Sequence, residues 1–167
     1  MNRYIKVKIA SILGILGNIF LFLIKLAASL LSKSESMLAD TFNSGGDIFS
    51  STITFIGNKI ASKPRDDDHD LGHGKAEYIF SLLISISMIV LSLMIIKSSI
   101  MSIIKRESII YSNYLIYVCI ITIIVKLSLY IYTNKIAKEE NNLLMKANSK
   151  DHINDVLLTT LNLISYF

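Results

Sequence analysis

Three stretches of more than twenty residues are almost wholly apolar: Ile9–Leu31, Tyr78–Ile104 and Ser112–Thr133. A helix needs roughly 20 mostly apolar residues to cross the hydrocarbon core of a bilayer. Asn18 and Lys25 are the strong polar interruptions of the first run, Lys97 of the second and Lys126 of the third. Met37–Ala61 and Leu143–Phe167 are also long enough to cross, but each carries acidic residues well inside it. The reading is therefore an all-α membrane protein with helices over approximately 9–31, 37–61, 78–104, 112–133 and 143–167, in one domain spanning 1–167. Composition agrees: 52% of the residues are hydrophobic and only 18% charged, where a soluble domain has about a quarter charged. This excludes a disordered or fibrous chain and disfavours a soluble one. The lone Cys119, inside an apolar run, excludes a disulfide framework and any multi-cysteine zinc site.

Basic residues in short loops and at span ends set the orientation. Arg3, Lys6, Lys8, Lys59, Lys63, Arg65, Lys75, Lys135, Lys138 and Lys146 fall on one side, against Lys33, Lys105 and Arg106 on the other. They alternate correctly only if the second segment also crosses, which places the N-terminus in the cytoplasm and sends the fifth helix outward. A signal peptide cleaved near Ala27-Ala28-Ser29 fits less well, because the apolar run exceeds the roughly 7–15 residues of a signal core. The net charge of +4 is accounted for by this topology, and no basic-aromatic pattern suggests a nucleic-acid partner.

Ionisable residues inside a span are costly and normally face a cavity or pathway. In the second segment Asn43 and Asp47 are four apart, so a helix stacks them on one face, with Asp40 on nearly the same stripe. Ser44, Gly45 and Gly46 beside them are small enough to let a neighbouring helix come close. In the fifth segment Asp151 and Asp155 repeat the spacing of four. Two helices each presenting such an oxygen pair can enclose one cation with Asn43, Asp47, Asp151 and Asp155. That hard, all-oxygen set suits manganese, magnesium or calcium better than zinc or copper. Without a cation the three carboxylates repel one another, so exchange of metal against protons is physically reasonable. The plainer alternative makes the acids helix caps or snorkelling interfacial groups, and it fits Asp40 and Asp151 better than Asp47 and Asp155. Lys97 lies close enough to a helix end to snorkel, whereas Lys25 and Lys126 lie deeper and are expected to pair with acids in the bundle. Met88, Met94 and Met101 read as packing residues rather than a path for a soft metal.

Taken with the next loop, these residues resemble the cation diffusion facilitator family. The match runs from Ser36-Met37-Leu38-Ala39-Asp40 through Asn43-Ser44-Gly45-Gly46-Asp47 to Asp66-Asp67-Asp68-His69-Asp70-Leu71-Gly72-His73-Gly74-Lys75-Ala76-Glu77, and ends on Asp151 and Asp155. The resemblance implies a secondary active transporter, not an enzyme, that exports divalent metal against protons across the plasma membrane. It implies a homodimer of six-helix subunits, with the transport site at Asn43, Asp47, Asp151 and Asp155 and no permanently bound cofactor. Zinc-carrying members usually place a histidine where this chain has Asp151, and His152 lies about 100° further round the helix. The set is similar to that of the manganese-exporting branch, with zinc or iron left as alternatives. A second, cytoplasmic metal site in some members corresponds to Asp66, His69 and His73, with a solvated acidic loop as the alternative. Lys75 matches a lysine that, in relatives, helps to hold the dimer together.

Relatives continue through a sixth helix into a soluble cytoplasmic domain, whereas this sequence stops at Ser165-Tyr166-Phe167, inside the fifth helix. The expectation is a C-terminally truncated chain without that domain, inactive by itself, or a remnant that partners longer subunits. An intramembrane aspartyl protease is the third reading, and the local motifs that chemistry needs around its aspartates are absent.

Overall fold

A computed structural model describes residues 3–32, 35–64, 72–105 and 113–164. Among them the chain is helical almost throughout: α1 Arg3–Ser32, α2 Glu35–Ala61, α3 Ala76–Lys105, α4 Asn113–Glu139 and α5 Leu143–Ile164. Three of these described helices are long and apolar enough to cross a membrane: α1, α3 over Ala76–Met101, and α4. The other two, α2 and α5, carry Asp47, Asp151 and Asp155, all buried. The all-α membrane architecture expected from the sequence is the one observed. In lipid every backbone group must find its partner inside the segment, which favours unbroken helices. The hydroxyls conform: Ser11, Thr41, Thr54 and Thr133 each donate to the carbonyl four residues back in their own helix.

Helix ends fall where the chemistry stops the helix. The single proline, Pro64, follows the last turn of α2, where Ser62 N–H still donates to Asn58 O at 3.0 Å. The α4–α5 connection takes only three residues, Glu140 to Asn142. Asn141 adopts φ 45°, a left-handed conformation that asparagine tolerates. Asn142 N–H then reaches back to Ala137 O at 3.1 Å, closing a Schellman-type end on α4. The Asn142 side chain immediately caps α5, its Oδ1 accepting from Met145 N–H at 2.9 Å. Two helices extend beyond the apolar runs that marked them: α1 begins at Arg3 rather than residue 9, and α4 continues to Glu139 rather than 133. Both overhangs are polar and amphipathic. Lys6 pairs with Glu140, and Arg3 reaches Glu77 at 2.9 Å, tying α1 to the end of α4 and the start of α3.

The most extensive packing joins α1 to α2 and α4 to α5, and α3 lies against α2 and α5. Glycines set the α2–α3 approach. A Cβ on Gly46 would come within 2.6 Å of Leu91 Cδ1, and one on Gly57 within 2.7 Å of Phe80 Cβ. Apolar clusters occupy the two ends of the α1–α4 contact. Val7, Ala10, Ile136, Ala137 and Met145 form one, and Ala28, Met37, Leu115 and Val118 the other. A smaller cluster of Ile53, Ile84 and Leu144 joins α2, α3 and α5. Val7 and Ala28 sit on the same helix, about 30 Å apart at 1.5 Å per residue, which matches the hydrocarbon thickness. Between them lie the buried polar side chains of Asn18, Asp47, Lys126, Asp151 and Asp155.

Candidate metal site

Midway along α1, Asn18 is fully buried and turned towards α2, donating from Nδ2 to Asp47 O at 3.1 Å and to Ser51 Oγ at 3.0 Å. This fixes α2 at the level where its acid points inward. Asp47 is 1% exposed. Across from it α5 presents Asp151 and Asp155, both buried, and one carboxylate oxygen from each of the three acids lies within 4.8 Å of the others. Asn43, one turn from Asp47 on α2, is partly buried and donates from Nδ2 to Asp155 Oδ1 at 3.3 Å. The four residues singled out by the two spacings of four are thus neighbours in space, in a layer that lipid does not reach.

Lys126 of α4 completes the cluster. Its ammonium is fully buried and donates to Asp47 Oδ2 at 2.7 Å and to Asp155 Oδ2 at 2.5 Å. Buried charges persist only when paired, and here one cation bridges acids on two different helices. The other deep lysine, Lys25, pairs with Asp40 at 2.9 Å, nearer the α1–α2 junction. Asp40 therefore serves a separate ion pair and stands apart from the cluster of Asp47, Asp151 and Asp155. Polar groups crowd the layer further: Asp151 Oδ2, both ring nitrogens of His152, both side-chain amide atoms of Asn148, and the Ser44 and Thr122 hydroxyls are buried with no hydrogen-bond partner among the described residues. An orphaned carboxylate oxygen at this depth is an acceptor available to a cation.

The three residues of the second expected site fare differently. Asp66 and His69 lie outside the described residues. His73, partly buried, stands just before α3 with Nδ1 3.3 Å from Pro64 O.

The sequence pointed to the acids and paired Lys126 with them only in outline. A signal for its position was available in α4, where Cys119, Thr122, Lys126, Leu129 and Thr133 are all buried at helical spacing. A lysine in the middle of a stripe that also holds two threonines faces the bundle rather than lipid.

These features define a polytopic α-helical membrane protein with a carboxylate cluster at the centre of its helix bundle. The chain belongs to the cation efflux family: residues 11–167 match the cation efflux transmembrane domain. It is 34% identical over 153 residues to an uncharacterised transporter of Methanocaldococcus jannaschii, covering 92% of this chain and 54% of the relative. It is 33% identical to the magnetosome protein MamM of Magnetospirillum gryphiswaldense, over 85% of this chain and 45% of that one. To the manganese efflux system protein MneP of Bacillus subtilis it is 31% identical, over 88% of this chain and 49% of the relative. The chain thus spans about half the length of the curated relatives it matches.

Proposed function

We propose that this chain forms the ion-carrying membrane core of a divalent-cation exporter, with Mn2+ as substrate, protons as the counter-substrate and Asn43, Asp47, Asp151 and Asp155 as the transport site. The observation that carries this reading is the convergence of three buried carboxylates to within 4.8 Å between α2 and α5. Nothing in a lipid-exposed or purely structural bundle requires three acids at one depth, and their mutual repulsion is relieved by a divalent ion or by protons. The donors are all oxygens, the set that hard cations prefer. The manganese efflux relatives from Bacillus subtilis, at 31% and 30% identity, support the same metal. By this reading the protein works as a homodimer in the plasma membrane with its N-terminus in the cytoplasm, the orientation that the lysine and arginine bias favours.

Calorimetric titration of the purified chain with Mn2+ and with Zn2+ at matched pH tests the reading. The wild type is expected to bind Mn2+ in preference to Zn2+, Asp47→Asn to abolish saturable binding, and Asp151→His to move the preference towards Zn2+. A wild type that strongly prefers Zn2+ overturns the choice of metal. Unaltered Mn2+ binding by Asp47→Asn overturns the site.

A further inference from the structure

We propose that Lys126 is a tethered cation that competes with the divalent ion for Asp47 and Asp155 and must swing off them before those carboxylates can hold the ion. The inference rests on the site assigned above and adds a residue to it. The Lys126 ammonium occupies one oxygen of each acid, at 2.7 Å from Asp47 and 2.5 Å from Asp155. A hard divalent ion needs carboxylate oxygens at roughly 2.0–2.6 Å, so ion and ammonium cannot share that position. Their charges also repel strongly at such separations in a buried setting.

The cluster has the features a displacement mechanism requires. Asp151 Oδ2 is buried and has no hydrogen-bond partner among the described residues, so it offers an incoming ion an acceptor that Lys126 does not hold. Asn43 binds the other oxygen of Asp155, leaving the Lys126-bound oxygen as the one to be exchanged. Lysine suits the role because its ammonium is a compact charge on a flexible four-carbon stem, able to shift by a rotamer change without moving α4. The charge count is also informative. With all three carboxylates ionised, Asp47, Asp151 and Asp155 set against one ammonium leave two negative charges, which one divalent ion neutralises and which protons neutralise in its absence. An ion can therefore enter while the ammonium stays within the polar layer, and the same ammonium is positioned to reclaim the oxygens as the ion departs. A purely structural ion pair makes the opposite prediction, since removing it leaves the acids less well placed for any ligand.

The test titrates Mn2+ into the full 167-residue chain in lipid nanodiscs, comparing wild type, Lys126→Gln and Lys126→Arg. Removing the competing charge is expected to tighten Mn2+ binding by about tenfold or more. Lys126→Arg keeps the charge and is expected to bind more weakly than Lys126→Gln. Equal or weaker binding by a folded Lys126→Gln overturns the proposal while leaving the site assignment intact. Absence of Mn2+ binding by both wild type and variant removes the site assignment, and this proposal with it. Should Lys126→Gln fail to fold, the wild type labelled with 15N at lysine Nζ is titrated with diamagnetic Cd2+. A Lys126 resonance that shifts in step with ion binding upholds displacement, and one that stays fixed while the ion binds overturns it.

Discussion

The middle of the bundle and the outer face of α3 reverse the usual arrangement of a folded protein. At mid-depth Asp47, Lys126, Asp151, Asp155, Asn18, Asn148 and His152 are all buried. On α3, Leu82, Ile89, Leu93 and Ile103 are 60% exposed or more. The two regions obey one rule applied to two solvents. Where lipid is the surroundings, exposure of leucine and isoleucine carries no penalty, so apolar residues face outward. Charge inside the bundle is then held where lipid does not reach and must be paired there, Lys126 with Asp47 and Asp155 and Lys25 with Asp40. Energetic sensitivity should follow the same division: high in the polar layer, intermediate where helices touch through glycine, and low on the lipid face.

The sharpest probe of that division is Asp155→Ala. It removes a partner of both Lys126 and Asn43, and loss of one member of a buried ion pair costs about 3–5 kcal/mol. Equilibrium unfolding in mixed micelles should show that loss, together with loss of Mn2+ binding in calorimetry; a stability equal to wild type would break the contrast at its strong end. Next comes Gly57→Ala, whose new methyl group meets Phe80 Cβ, an atom that no rotamer change can move aside. Overpacking of this kind costs about 1–3 kcal/mol by the same unfolding assay. Gly46→Ala should fall below it, because the atom it meets is the far end of the flexible Leu91 side chain. Separating Arg3 from Glu77 by Arg3→Gln should matter less again, about 1 kcal/mol, since the arginine side chain is about a third exposed and glutamine can still donate to the buried Glu77 carboxylate. The smallest change belongs to Leu82→Ala on the lipid face, expected to lie within about 0.5 kcal/mol of wild type. A large effect there would mean that another protein surface covers α3.

Much of this was legible in the residues. Apolar run length located α1, α3 and α4, and the two spacings of four identified the acids that the fold gathers at one depth. Run length was a poorer guide to helix ends. Lys6 and Lys8 continue α1, and Lys135, Lys138 and Glu139 continue α4, because a helix leaving the bilayer need not stop when it becomes polar. The α4–α5 turn depends on Asn141 accepting a left-handed backbone and on Asn142 serving both helices, which a polar run such as Glu139-Glu140-Asn141-Asn142 does not spell out. The partner of Lys126 was beyond reach for another reason. Periodicity says which way a residue faces on its own helix, but not which acid of another helix stands opposite at the same depth.

The tight connection between α4 and α5 has a mechanical consequence. Closed by neighbouring asparagines and packed along its length, the α4–α5 hairpin carries Lys126, Asp151 and Asp155 as one piece, while α1 and α2 together carry Asn18, Asn43 and Asp47. The charged cluster therefore lies on the seam between two stiff pairs. A small slide or tilt of one pair against the other alters the grip on whatever the carboxylates hold, long before either pair has to come apart.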